Sequence, residues 1–293
     1  MPHIALLALL TLLCTALPAR ADVVADARLE AQREAFRAAL PLAEAGQWSG
    51  VEARLADLDG YPLLPDLRAA WLRSRLTQVS DAEVAQFLAA HEDLGFVPAL
   101  RRQWASSLAR RKAWPEYLDL YEAHYAGTRD TVLECHAYSA RIALGRTARL
   151  EDAVRARWTA PTSQPEACDP AFAWLDARDG IDEDTRRARM RLALEAGEFR
   201  LALWLARPLG DTALAEVARW QEVHEDPVGN LRTPAGRRDE PRQRALVLYG
   251  FTRMASTDPD IAAARWPAFR ARFAFAPGEQ AAIDRRIALI HAW

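Results

Sequence analysis

The chain has 293 residues, a formal net charge of −2, and 27% charged residues of mixed sign. That balance excludes an electrostatic nucleic-acid binder, which carries a strong basic excess, and it fits the solvated faces of many helices. A chain of this length buries one large core or a stack of smaller ones.

The N-terminus sets the compartment. Ile4 to Leu13 is apolar apart from Thr11, too short a run to span a bilayer. It is followed by Ala19-Arg20-Ala21, a small-x-small cleavage site. Residues 1–21 are therefore expected to be a secretory signal peptide cut after Ala21, which places the mature protein, residues 22–293, in the periplasm. The run carries no Lys or Arg before it, and Cys14 opens a lipoprotein alternative, against which stands the bulky Leu13 before it. No later segment is long and apolar enough to cross a membrane. Past the leader two cysteines remain, Cys135 and Cys168. An even pair in an exported chain reads as one disulfide, the alternative being two buried free thiols.

Downstream of residue 22 the composition favours helix: Ala, Leu, Arg and Glu dominate, and no alternating β-branched run is bounded by turn residues. Leu29, Phe36, Leu40 and Leu42 open the pattern at helical spacing. A turn follows at Gly46, with Trp48 starting the next helix. Ser80-Asp81-Ala82-Glu83 is a capping box. Pro98 and Pro115 fall where helices begin. Arg110-Arg111-Lys112-Ala113-Trp114 repeats the plan of the Gly46 turn with Lys for Gly, and Gly145 marks another turn. The loop Thr159–Asp169 is rich in Pro, Ser and Thr, and Asp169-Pro170 is expected to cap the helix after it. Leu192, Leu194, Leu201 and Leu205 carry the apolar period across a turn at Gly197, again with an aromatic, Phe199, two residues on. The loop Pro227–Pro241 carries Arg232, Arg237 and Arg238, with Arg242 just beyond. It reads as a solvated surface segment, or else as a contact for an anionic polymer or partner domain. Asp258-Pro259 marks the next helix start. The turns at 46, 112, 145 and 197 fit a period near ~34 in part only. The expected fold class is all-α, a superhelical array of helical hairpins, TPR-like with an irregular period. Each hairpin buries its apolar face on its neighbours.

Four segments carry a family resemblance: Gly60-Tyr61-Pro62-Leu63-Leu64-Pro65-Asp66-Leu67; Leu108-Ala109-Arg110-Arg111-Lys112-Ala113-Trp114; Gln164-Pro165-Glu166-Ala167-Cys168-Asp169; and Leu192-Ala193-Leu194-Glu195-Ala196-Gly197. In this order, behind a leader, they resemble the N-terminal helical domain of the soluble lytic transglycosylases, from about Asp22 to the chain's end. Asp66 departs from the pattern, which often has an aromatic there. The resemblance implies an array curved into a ring, a Cys135–Cys168 disulfide, and a linker domain and small lysozyme-like catalytic domain elsewhere. It also implies action on peptidoglycan glycan strands, cut between N-acetylmuramic acid and N-acetylglucosamine with a 1,6-anhydro product, with other cell-wall enzymes as possible partners. The family's acid is a single Glu followed by Ser, with a Gly-Leu-Met-Gln segment beyond. Neither occurs in this chain, so no catalytic residue is assigned, and the expectation is a non-catalytic N-terminal fragment. The alternative is a stand-alone periplasmic scaffold that binds a protein partner.

Other constellations read as structural. His91-Glu92-Asp93 and His224-Glu225-Asp226 fall near helix C-termini, where His favours the dipole. Asp176, Asp179, Asp182 and Asp184 surround Gly180 in a pattern that Arg178 breaks for calcium, so a helix cap is expected instead. No Gly-x-Ser-x-Gly, phosphate loop or dinucleotide fingerprint is present, and neither a metal nor a cofactor is expected. The ten tryptophans are expected mainly in the core or as hairpin plugs, with a few free to stack on sugars.

Overall fold

The computed structural model describes the backbone of residues 17–291 and the side chains of residues 26–289. The expected leader's apolar run and Cys14 lie outside the described residues. Among the described residues the regular elements are all helices, α1 to α16 with three short 3-10 turns. They divide into two compact units, residues 1–128 and 129–293.

In the first unit, α1 (Leu17–Glu44) packs along α3 (Leu64–Ser74), with α2 (Trp48–Glu52) between them in sequence. Ala39 and Ala43 of α1 are fully buried and let α3 approach through Leu67 and Ala70. The Gly60–Leu67 segment is the hinge of this pairing. Tyr61 is buried with its ring 5.5 Å from Phe36, and the Asp59 carbonyl accepts from Gln32 Nε2 at 2.8 Å. Asp66 sits in the first turn of α3, where a carboxylate complements the positive end of the helix dipole. The unit continues through α4 (Asp81–Ala90), α5 (Val97–Arg111) and α6 (Trp114–His124). Asp81 ties α4 to α5. It accepts from Trp104 Nε1 and Arg111 Nη2, both at 2.8 Å.

The second unit begins with α7 (Thr131–Ala143), α8 (Leu150–Trp158), α9 (Asp169–Asp176), α10 (Glu183–Glu195) and α11 (Phe199–Ala206). It continues through α12 (Asp211–Glu225), the short α13 (Pro227–Asn230), α14 (Pro241–Thr257), α15 (Pro259–Arg272) and α16 (Pro277–His291). Consecutive helices pair as α8 with α9, α10 with α11 and α14 with α15, while α14 also packs on α16 and α12. One core runs through these pairs, from Trp158 and Leu175 to Phe251, Trp266 and Phe269. Gly250 lets α14 come close to α12: a Cβ there would stand 2.4 Å from Leu231 Cδ1 and 2.7 Å from Val223 Cγ1.

The recurring turns have one geometry. Gly46 donates to the Ala43 carbonyl and Gln47 to the Leu42 carbonyl. The same pair of bonds recurs at Lys112 and Ala113, Gly145 and Arg146, Asp179 and Gly180, and Gly197 and Glu198. Each is a Schellman motif, which returns two orphan carbonyls of the ending helix and needs a left-handed residue. Lys112 holds φ 57°, in place of the glycine the turn prefers. A left-handed side chain costs roughly 1–2 kcal/mol, part of which a glycine returns as unfolded-chain entropy. Lys112→Gly is therefore expected to raise stability by about 0.5–1 kcal/mol, read as a higher urea midpoint. A loss of stability would mean that the Lys112 side chain makes a contact worth more than the strain. The aromatic two residues on starts the following helix at Trp48, Trp114 and Phe199. Gly145 lacks one, and α8 starts only at Leu150.

The helix starts agree in part with expectation. Ser80 accepts from Glu83 N at 3.2 Å. Pro98 and Pro115 fall in the first turns of α5 and α6. Asp169 is not an N-cap: the 3-10 turn Glu166–Cys168 runs straight into α9, so Asp169 is already its first residue. Asp258 does hold the cap position before Pro259, but at φ −141°, ψ 69° its side chain makes no capping bond.

Candidate functional site

Cys135 of α7 and Cys168 are joined in a disulfide, S–S 2.04 Å, and both are fully buried. The bridge pins the Gln164–Asp169 segment against α7, at one rim of a groove of about 710 Å³. The groove lies wholly within the second unit. Its rim carries Ser163 and Gln164, one wall is the Asp169, Phe172 and Asp176 face of α9, and the other is built from α10 and α11. The i, i+3 spacing of Arg186 and Arg189 puts both guanidiniums on one face of α10, and the i, i+4 spacing of Arg200 and Trp204 does the same on α11.

Trp158, 2% exposed, also lines the groove. Arg189 lies over its ring, Cζ 4.7 Å from the centroid, and Arg186 lies 5.8 Å from it. Arg189 is only 4% exposed. Its Nε donates to the Ala160 carbonyl at 3.2 Å and Nη2 to the Thr162 carbonyl at 3.3 Å, which holds the 159–165 loop in place. Burial and the neighbouring Arg186 push the Arg189 guanidinium down to about 10, so it stays cationic near neutral pH. Arg186 reaches Asp176 only at 3.9 Å. Trp204, 51% exposed, is the most open aromatic of the groove. Aromatic faces, amides, carboxylates and guanidiniums in one trough suit a long amphipathic ligand: ring faces take C–H surface, and the polar groups take hydroxyls and acids.

Among the described residues, the carboxyl groups that depart from the ordinary range, Asp81, Asp182 and Asp239, are all lowered. For Asp81, burial pushes upward and is outweighed by bonds from Arg111 and Trp104. For Asp182 the cause is its bonds from Thr185, and for Asp239 the bond from Ala274 N followed by Arg244. A general acid at neutral pH needs the opposite shift.

The remaining sequence candidates are placed as follows. His91 caps α4 and packs on Phe87 at 4.7 Å, and His224 ends α12 beside Tyr249 and Phe199. Asp182 caps α10 through Thr185 N at 2.8 Å. In the basic loop, Arg237 is half-buried and donates to the Asn230 carbonyl, while Arg242 reaches Glu216 at 3.7 Å. Arg232 and Arg238 are exposed. None of these lines the groove. Trp204, Arg186, Arg189 and Phe172 do, and sequence reasoning missed them.

No protein-family profile matches the chain. It is 30% identical to the soluble lytic murein transglycosylase of Salmonella typhimurium over 188 residues, 64% of this chain and 28% of that protein. It is 27% identical to the Escherichia coli K12 protein of the same name over 233 residues, 79% of this chain and 35% of that one. The chain thus spans about a third of the length of these relatives. Among solved structures it is similar to an inactive mutant of lytic transglycosylase Slt from Pseudomonas aeruginosa, with TM-score 0.72 and 27% identity over 88% of this chain and 41% of that one. The 70-kDa soluble lytic transglycosylase of Escherichia coli shares the fold, with TM-score 0.68 and 22% identity over 89% of this chain and 42% of that one. In sequence and in fold the chain is thus similar to soluble lytic transglycosylases over most of its length.

Proposed function

We propose that this chain is the non-catalytic, N-terminal superhelical part of an exported peptidoglycan lytic transglycosylase, and that in the periplasm it engages glycan strands. In this reading residues 1–21 are removed, and the bond-breaking carboxylic acid belongs to a catalytic domain outside these 293 residues. The observation that carries it is the likeness in sequence and fold to the murein transglycosylases over most of the chain. The groove supports it, because Gln164 and Asp169, the ends of a segment that carries part of the resemblance, line it together with Trp204.

The test is co-sedimentation of purified residues 22–293 with intact sacculi. The protein is expected in the pellet, and the supernatant is expected to contain no 1,6-anhydro products. Protein left wholly in the supernatant would overturn the glycan reading. Capture of one stoichiometric protein instead would move the chain to the scaffold alternative.

A further inference from the structure

Arg189 is a buried cation for which the fold supplies no counter-ion. Its two hydrogen bonds go to neutral carbonyls, and among the described residues no carboxylate lies within ion-pair distance of it. The charge that acts on it is Arg186, of the same sign. The neighbouring inward arginines are treated differently: Arg157 pairs with Glu134, and Arg155 with Glu151 at 2.7 Å and Asp152 at 3.1 Å. A buried charge is costly unless it is paired. Two carbonyls and the Trp158 face orient the guanidinium without neutralising it. Arg186 stands on the same helix face, held only loosely by Asp176. Both line the groove.

We propose that Arg186 and Arg189 form a carboxylate-binding subsite of the groove. The ligand is an acidic substituent carried by the glycan, so the inference rests on the glycan reading above. A planar carboxylate matches the fork of a guanidinium, and bonds between charged groups are the strong ones. The acid has two possible sources on such a strand: the lactyl group of the muramic acid, or the peptide attached to it.

Isothermal titration of residues 22–293 with three disaccharide probes separates the outcomes. The probes are neutral N,N′-diacetylchitobiose, the N-acetylglucosaminyl-N-acetylmuramic acid disaccharide with a free lactyl acid, and the same disaccharide bearing L-Ala-D-Glu. At least one acidic probe is expected to bind about tenfold or more tightly than the neutral one, and which one does so identifies the source. The advantage is expected to shrink with salt and to vanish in Arg186→Gln, whose circular dichroism should match wild type. Equal binding of all three probes, or an advantage that survives Arg186→Gln, would overturn the subsite and leave the glycan reading standing. Tight acidic binding without sacculus association would do the reverse.

Discussion

Replacing Cys135 and Cys168 together by alanine is expected to destabilise the second unit by about 3–4 kcal/mol. The bridge closes a loop across 33 residues of sequence, and the chain-entropy estimate for that length gives this magnitude. For a unit of this size that lowers its melting temperature by on the order of 10 °C. The loss reaches the groove, because the loop inside the bridge contains α8 with Trp158 and the whole rim from Ser163 onward. Wild type in reductant should follow the double variant. The measurement is thermal unfolding by circular dichroism with and without reductant, together with sacculus binding. An unchanged melting temperature would show that the segment is held by packing alone.

The second large effect separates two tryptophans of the same groove. Trp158→Ala empties a fully buried site in contact with the core and is expected to cost about 3–5 kcal/mol. It also takes away the ring over which Arg189 and Arg186 lie. Trp204→Ala removes an exposed side chain and is expected to change stability by no more than about 0.5 kcal/mol. Its glycan binding should fall about threefold to tenfold, for loss of an aromatic contact. Urea denaturation and sacculus binding, measured on both variants, check the pair. Trp204→Ala with wild-type binding would remove the aromatic from the glycan contact, and a small stability loss in Trp158→Ala would mean the core refills the space.

What the sequence discloses here follows from how local the physics is. The hairpin turns at Gly46, Lys112, Gly145 and Gly197 were legible because a Schellman turn needs a left-handed residue and fixes the positions around it, so even Lys112 was recognisable from its neighbours, whereas the turn at Asp179 was read only as part of an acidic cluster. The caps at Ser80 and Asp182 were legible for the same reason. The cap expected at Asp169 failed because the preceding 3-10 turn hands its backbone directly to α9, which depends on where the disulfide holds Cys168. The groove was not legible. In α11, Leu201, Ala202, Leu203, Trp204, Leu205 and Ala206 are all apolar, so helical period alone cannot tell that Leu205 is buried and Trp204 open. In α10, Arg186, Arg187, Arg189 and Arg191 read alike, and only tertiary packing selects Arg189 for burial. The same limit applies to Leu192, whose apolar spacing suggested the core and which is 37% exposed.

The division of the chain at residue 128 also bears on how any of these variants is measured. Two compact units need not lose their structure in one step, and an all-or-none treatment then gives a single free energy that belongs to neither. Cys135, Cys168, Trp158 and Trp204 all lie in the second unit, whereas Lys112 lies in the first. A calorimetric trace with two heat-absorption peaks should therefore show the cysteine and Trp158 substitutions moving one peak and Lys112→Gly the other.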